Sequence, residues 1–209
     1  MSVEVREEHG VAGARAGVER DASQARAADI SARATGVRSR GLALVRDVRL
    51  LLIALWLGAA VFFSFAVAPS TFAVLPTHEL AGRLVTRTLT IVNVGGFVIS
   101  LALLASAPLF RRLARRRAFY AELSALALVA LTTGVGHWII NARLLALRLS
   151  LGRPIDDVAQ SDPVRVAFNS LHGYSVMALT LGMLAALAAL LLISRRAAVS
   201  TSKVREDLS

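Results

Sequence analysis

Four long apolar runs constrain this chain more than any other feature. They are LLLIALWLGAAVFFSFAVA (50–68), LTIVNVGGFVISLALLASAPLF (89–110), AFYAELSALALVALTTGVGHWII (118–140) and VAFNSLHGYSVMALTLGMLAALAALLLI (166–193). A helix rises about 1.5 Å per residue, so each run is long enough to cross a hydrocarbon layer about 30 Å thick. The alternating pattern of a spanning barrel is absent, which leaves an all-α fold: an integral membrane four-helix bundle. A mean hydropathy of +0.61, with 56% hydrophobic residues, agrees, being too apolar for an ordinary soluble domain.

The first run starts near Leu50, well past the place of a cleavable secretory signal, and is expected to be retained as a signal anchor. Residues 1–41 are rich in Ala, Arg, Glu, Gly and Ser, with hardly any large apolar side chain. Such a segment cannot bury enough to fold alone, so 1–41 is expected to be a disordered cytoplasmic tail, with alanine permitting transient helix. Residues 42–196 then form the four-span domain, and 197–209 a cytoplasmic C-terminal tail. Cysteine is absent, which excludes disulfides, thiolate metal sites and cysteine nucleophiles. The formal net charge of +10 gathers at the flanks of the apolar runs. That is the distribution of a membrane protein, and no nucleic-acid partner is expected.

Arginines set the orientation. Arg33, Arg38, Arg40, Arg46 and Arg49 precede the first run, RRLARRR (111–117) links the second to the third, and Arg195, Arg196, Lys203 and Arg205 follow the fourth. The two other connections are nearly balanced in charge. The positive-inside rule therefore predicts a protein of the cell (inner) membrane with both termini cytoplasmic and with loops 70–87 and 141–165 outside. Glu122, five residues beyond Arg117, is expected to snorkel at the inner boundary as half of a surface pair. An acidic relay is not expected, because the first and fourth runs have no ionisable group in mid-membrane. Small residues four apart (Ala54/Gly58, Gly96/Ser100, Ala130/Gly134, Ala178/Gly182) predict close helix packing within one bundle.

The polar residues collect at the other end. His137 and His172 each lie about twenty residues from the cytoplasmic end of their span, roughly 30 Å at 1.5 Å per residue, and His78 falls in the first outer loop. Helical spacing puts Thr86, Thr90 and Asn93 on one stripe, Thr133, His137 and Asn141 on a second, and Arg165, Asn169 and His172 on a third. Lipid is a poor solvent for such groups, so the three stripes are expected to face one another as an outer polar pocket. Ser161-Asp162-Pro163 predicts the start of the fourth helix, with a capping side chain and proline at its first position.

Two stretches carry a resemblance. LWLGAAVFFSFAVAPSTFAVLPTHELAGRLV (55–85) resembles the first-helix signature of the transmembrane protein 205-like family, through Gly58, VAPSTF at 67–72 (with Ala68, Pro69 and Phe72), Leu75-Pro76 and Ala81-Gly82. INARLLALR leads out of the third run, and FNSLHGYSV (168–176) resembles the family's F-x-x-L-H-x-x-S-V start to the fourth span, at Phe168, Leu171, His172 and Ser175. The resemblance covers about 50–193 and leaves out the N-terminal tail. It implies a four-helix membrane protein with no established reaction; a link of animal relatives to drug and platinum tolerance hints at export or trafficking.

Read from the residues, the leading function is a non-catalytic structural, assembly or partner-binding protein. Membrane lipid surrounds it, the outer pocket stabilises it or docks a partner, and Arg111, Arg112, Arg115, Arg116 and Arg117 hold anionic lipid or a cytosolic protein. One alternative is the handling or export of a metal ion or small cationic solute, with His78, His137 and His172 as candidate ligands. Haem of b type between His137 and His172 is a narrower version of it. No H-x-x-x-H or H-E-x-x-H spacing exists, and no cofactor is expected. Ser170 or Ser175 beside His172 would be needed for hydrolysis, but neither sits in a nucleophile turn and no carboxylate is spaced to orient the imidazole, so an enzyme is not expected.

Overall fold

The computed structural model describes residues 4–111, 115–151 and 157–206, and every regular element among them is helical. The chain divides into two compact units, Met1–Arg46 and Asp47–Ser209. From Glu4 onward the first falls in helix α1 (Glu4–Phe62), in keeping with the helix that alanine permits in a segment unable to bury a core of its own. Alanine, arginine and glutamate favour helix without tertiary support. Ile30 and Val37 stay exposed, and Arg33 pairs with Asp29 one turn back at 3.0 Å.

The second unit holds the bundle. Four helical segments are long and apolar enough to cross a membrane: Ser39–Val74, His78–Phe110, Arg116–Ser150 and Pro163–Arg195, called spans one to four below. They are longer than the apolar runs. Span two starts at His78 rather than near residue 89, so the expected outer loop of 70–87 shrinks to a turn around Leu75–Thr77. Thr77 caps it by accepting the Leu80 N–H at 3.3 Å, and Glu79 sits in the first turn where the helix dipole favours an anion. Span three continues through the helix Ala142–Leu151. The breakers Gly152 and Pro154 lie outside the described residues. At the start of span four, Asp162 Oδ1 accepts the Val164 N–H at 2.8 Å, with Pro163 first in the helix Pro163–Glu206.

Each span turns one stripe inward at alternating steps of three and four residues. Span one contributes Ile53, Trp56, Ala60 and Phe63; span two Gly96, Ser100 and Leu103; span three Leu126, Val129 and Thr133; span four Gly182, Ala186 and Ala189. The outward faces carry the large apolar groups, among them Leu51, Phe65, Ile91 and Leu131, each more than 60% exposed. In water that surface would drive aggregation; lipid is its natural solvent.

Three of the small-residue pairs lie against neighbours, and one does not. A Cβ at Gly96 would fall 2.5 Å from the Trp56 indole nitrogen, and one at Gly182 would fall 2.8 Å from the Thr132 hydroxyl. Ala130 is buried, and Gly134 lies by the Phe97 ring. Ala54 and Gly58 correct the expectation: both are exposed, on the face of span one opposite its buried stripe.

Two π-helical turns interrupt the ladder at the end away from the arginine linker. In span one, Phe63–Val67 precedes Pro69, and the Ala68 N–H reaches back to the Phe63 carbonyl. Proline cannot donate to the carbonyl of residue 65 and its ring crowds that carbonyl, so a widened turn relieves the conflict. In span three, Val135–Asn141 follows Gly134 and includes Gly136, where α-helical preference is weakest.

Candidate functional site

Hydroxyls such as Ser100, Thr132 and Thr133 are buried in mid-span, while the buried charged and amide groups lie towards the two ends of the bundle. At the arginine-linker end, Arg49 and Glu122 are 3% and 1% exposed and form an ion pair, Nη2 to Oε1, at 2.6 Å. Arg49 Nη1 also donates to the Leu103 carbonyl at 2.6 Å and to the Ser106 hydroxyl, and the guanidinium lies 5.3 Å from the centre of the Phe110 ring. One cation thus ties span one to spans two and three. Neither residue is the solvated flank the sequence suggests. Glu122 is a correction in particular: it does not snorkel beside Arg117, because it shares the stripe of Leu126 and Val129 and is turned inward with them. Desolvation of both charges offsets much of the attraction in a buried pair of this kind, so its net contribution to stability is small.

The opposite end is a seam between spans two and three. Asn93 is 3% exposed, and its amide lies where a side chain at residue 136 would be: a Cβ at Gly136 would sit 3.1 Å from Asn93 Nδ2. Two turns along, Arg148 donates to the Thr86 hydroxyl at 3.1 Å, stacks 5.2 Å from the centre of the Phe168 ring, and passes so close to Gly82 that a Cβ there would be 3.1 Å from Nη2. Between these contacts lie Asn141, which is buried, and His137. Neither amide atom of Asn141 has a hydrogen-bond partner, nor has the buried Nδ1 of His137. Each such group destabilises by about 1–3 kcal/mol while it stays unsatisfied.

The expected stripes fare differently. That of span two reaches span three at residues outside the expected stripe, Asn93 at Gly136 and Thr86 at Arg148. Thr90 and Thr133 turn their hydroxyls to the Thr86 and Val129 carbonyls. The stripe of span four does not join them. Asn169 and His172 are exposed, and Arg165 donates back to the Val158 carbonyl. The inward positions are instead Phe168, Leu171 and Ser175, rotated by about one residue, or about 100° of helix. His78 opens span two and packs edge-on against Phe72, 6.0 Å between centres. His137 packs on Trp138. Among the described residues no three or more His, Cys, Asp or Glu side chains are grouped to hold a metal ion.

Several positions of the sequence resemblance gain a physical role. Gly82 leaves room for Arg148, Phe168 stacks on it, Ala81 is fully buried, and Ala68 with Pro69 follows the π turn. Gly58, Pro69 and Phe72 are exposed. In the basic linker Arg111, Arg115, Arg116 and Arg117 are exposed, with Arg116 over the Tyr120 ring; Arg112 lies outside the described residues. Arg49, Glu122 and Arg148 are what residue patterns alone missed.

Four helices long and apolar enough to span a membrane define a multi-pass membrane protein of unresolved activity, in contact with lipid along its outward faces. Residues 51–151, which take in most of spans one to three, match the model of the family described as a domain of unknown function (DUF4149). No curated protein and no solved structure matches the chain.

Proposed function

We propose that this is a non-catalytic protein of the cell (inner) membrane, with both termini cytoplasmic, that serves as a structural or assembly factor. Its basic linker holds a cytosolic or membrane partner, and its polar seam faces outside. The observation that carries this reading is the sorting of charge: four exposed arginines crowd the linker at one end, and the seam lies at the other. Positive-inside bias then assigns the linker to the cytoplasm. The non-catalytic part draws support from Ser170, whose hydroxyl donates to the Val166 carbonyl at 3.0 Å and is committed to its own helix. The motifs at 55–85 and 168–176 align this reading with transmembrane protein 205-like proteins.

A photocrosslinking residue at position 115 tests it in cells. It is expected to trap a discrete partner band, and Arg116→Glu with Arg117→Glu is expected to remove at least nine-tenths of that band while leaving protein abundance unchanged. A crosslink to lipid alone would contradict the partner reading.

A further inference from the structure

The π turn of span three, which packs against spans two and four, contains hydrogen-bonding capacity that the chain itself does not use. Asn141 is 8% exposed, with both its amide donor and its amide acceptor unpartnered, and Nδ1 of His137 is unpartnered one turn away. A donor and an acceptor side by side on one buried amide match a ligand that presents the reverse pair: a carboxamide or a similar neutral group. Seven residues further along the same face stands Arg148, on the side of the span's end. Of its five N–H donors, one is given to the Thr86 hydroxyl, while Phe168 stacks against the guanidinium to hold its plane. Glu79 and Arg83, the charged neighbours that act on Arg148, are paired with each other at 2.6 Å.

We propose that this seam binds a small carboxylate with a neutral hydrogen-bonding tail, the carboxylate on Arg148 and the tail on Asn141 and His137. A planar guanidinium fork suits a carboxylate, and a cation would meet Arg148 with repulsion. A lipid phosphate would satisfy Arg148 alone. Asn141 lies about 10 Å further along the helix axis towards the bundle interior, at 1.5 Å per residue, where a headgroup does not reach. The unpartnered atoms are closed to solvent in this conformation. Entry therefore requires the seam to loosen, and the π turn Val135–Asn141 with its glycine is the segment built to give. The inference goes beyond the partner reading above and holds whichever side of the membrane the seam faces.

The test is thermal unfolding of the full-length protein in detergent micelles, followed by tryptophan fluorescence; Trp138 packs on His137 and reports on the site. The probes are succinamate, propionate (which lacks the amide) and inorganic phosphate, against chloride at matched ionic strength. Succinamate at 100-fold excess over its Kd is expected to raise Tm by about 5 °C, with propionate and phosphate each weaker by at least about tenfold in concentration dependence. Arg148→Gln is expected to weaken the response at least tenfold. Asn141→Leu is expected to raise the ligand-free Tm and yet abolish the preference for succinamate over propionate, because it removes an unpartnered amide and the tail's contact together. Arg143→Gln, on the exposed face of the same helix, is expected to keep the full response. An absent or unsaturable succinamate shift would overturn the proposal. So would equal responses to succinamate and propionate, a shift that survives both variants, or a lowered ligand-free Tm in Asn141→Leu.

Discussion

Glu122→Ala is expected to destabilise the folded bundle by about 3–5 kcal/mol, because it leaves the Arg49 guanidinium buried at 3% exposure with its counter-charge gone. The Leu103 carbonyl, the Ser106 hydroxyl and the Phe110 ring, which also contact Arg49, are neutral and do not replace a carboxylate. Glu122→Gln is expected to lose somewhat less, since an amide oxygen can still accept. Replacing both partners with apolar groups, as in Arg49→Met with Glu122→Leu, is expected to be neutral or stabilising by about 1–4 kcal/mol, as no charge then remains to desolvate. The double variant should nonetheless pack spans one, two and three less uniquely. Equilibrium unfolding in mixed micelles gives all three values. A single-residue loss under about 1 kcal/mol would mean that the pair is solvated and of the surface kind.

Gly96→Ala is the second large effect. The added methyl would meet three atoms of the Trp56 indole at 2.5–2.8 Å, a distance real Cβ atoms do not tolerate. Trp56 has little freedom to retreat, being 4% exposed and donating its Nε1–H to the Val92 carbonyl at 2.8 Å. Overpacking of this kind costs about 1–3 kcal/mol, and loss of the indole hydrogen bond adds about 1 kcal/mol. Trp56→Leu with Gly96→Ala is expected to be less destabilised than the sum of the two single changes, with a coupling of about 1–2 kcal/mol. Additive losses would show that the close approach is not what the glycine is for.

The four-helix membrane architecture was legible because apolar length alone decides it. The helix ends were less so. Residues such as Thr86 and Arg87 break the apolar pattern without breaking the helix, so span two was read about ten residues short at its start. The polar seam was legible only on the side of span two: Asn93 and Thr86 do reach span three, but they meet Gly136 and Arg148 rather than the expected stripe of Thr133, His137 and Asn141. The stripe of span four was misassigned because Phe168, Leu171 and Ser175 offer an inward face one residue away, and near a span's end polar groups meet water without penalty. Arg49 and Glu122 carried a readable signal that charge counting hid. Arg49 falls in step with Ile53, Trp56 and Phe63, and Glu122 in step with Leu126 and Val129, so each shares the spacing of its span's core. Arg148 falls within the expected outer loop 141–165, and nothing in its neighbours reveals that Gly82 and Phe168 come to it from other helices.

In a four-span bundle the basic linker and the polar seam lie on opposite sides of one membrane. The chain has no cysteine, so single cysteines placed at Arg115 and at Gln160, both exposed, measure this directly. With a membrane-impermeant maleimide, Gln160→Cys is expected to label in intact cells and Arg115→Cys only after permeabilisation. Labelling of Arg115→Cys in intact cells, with Gln160→Cys protected, would contradict the proposed orientation; labelling of both in intact cells would contradict the four-span bundle itself.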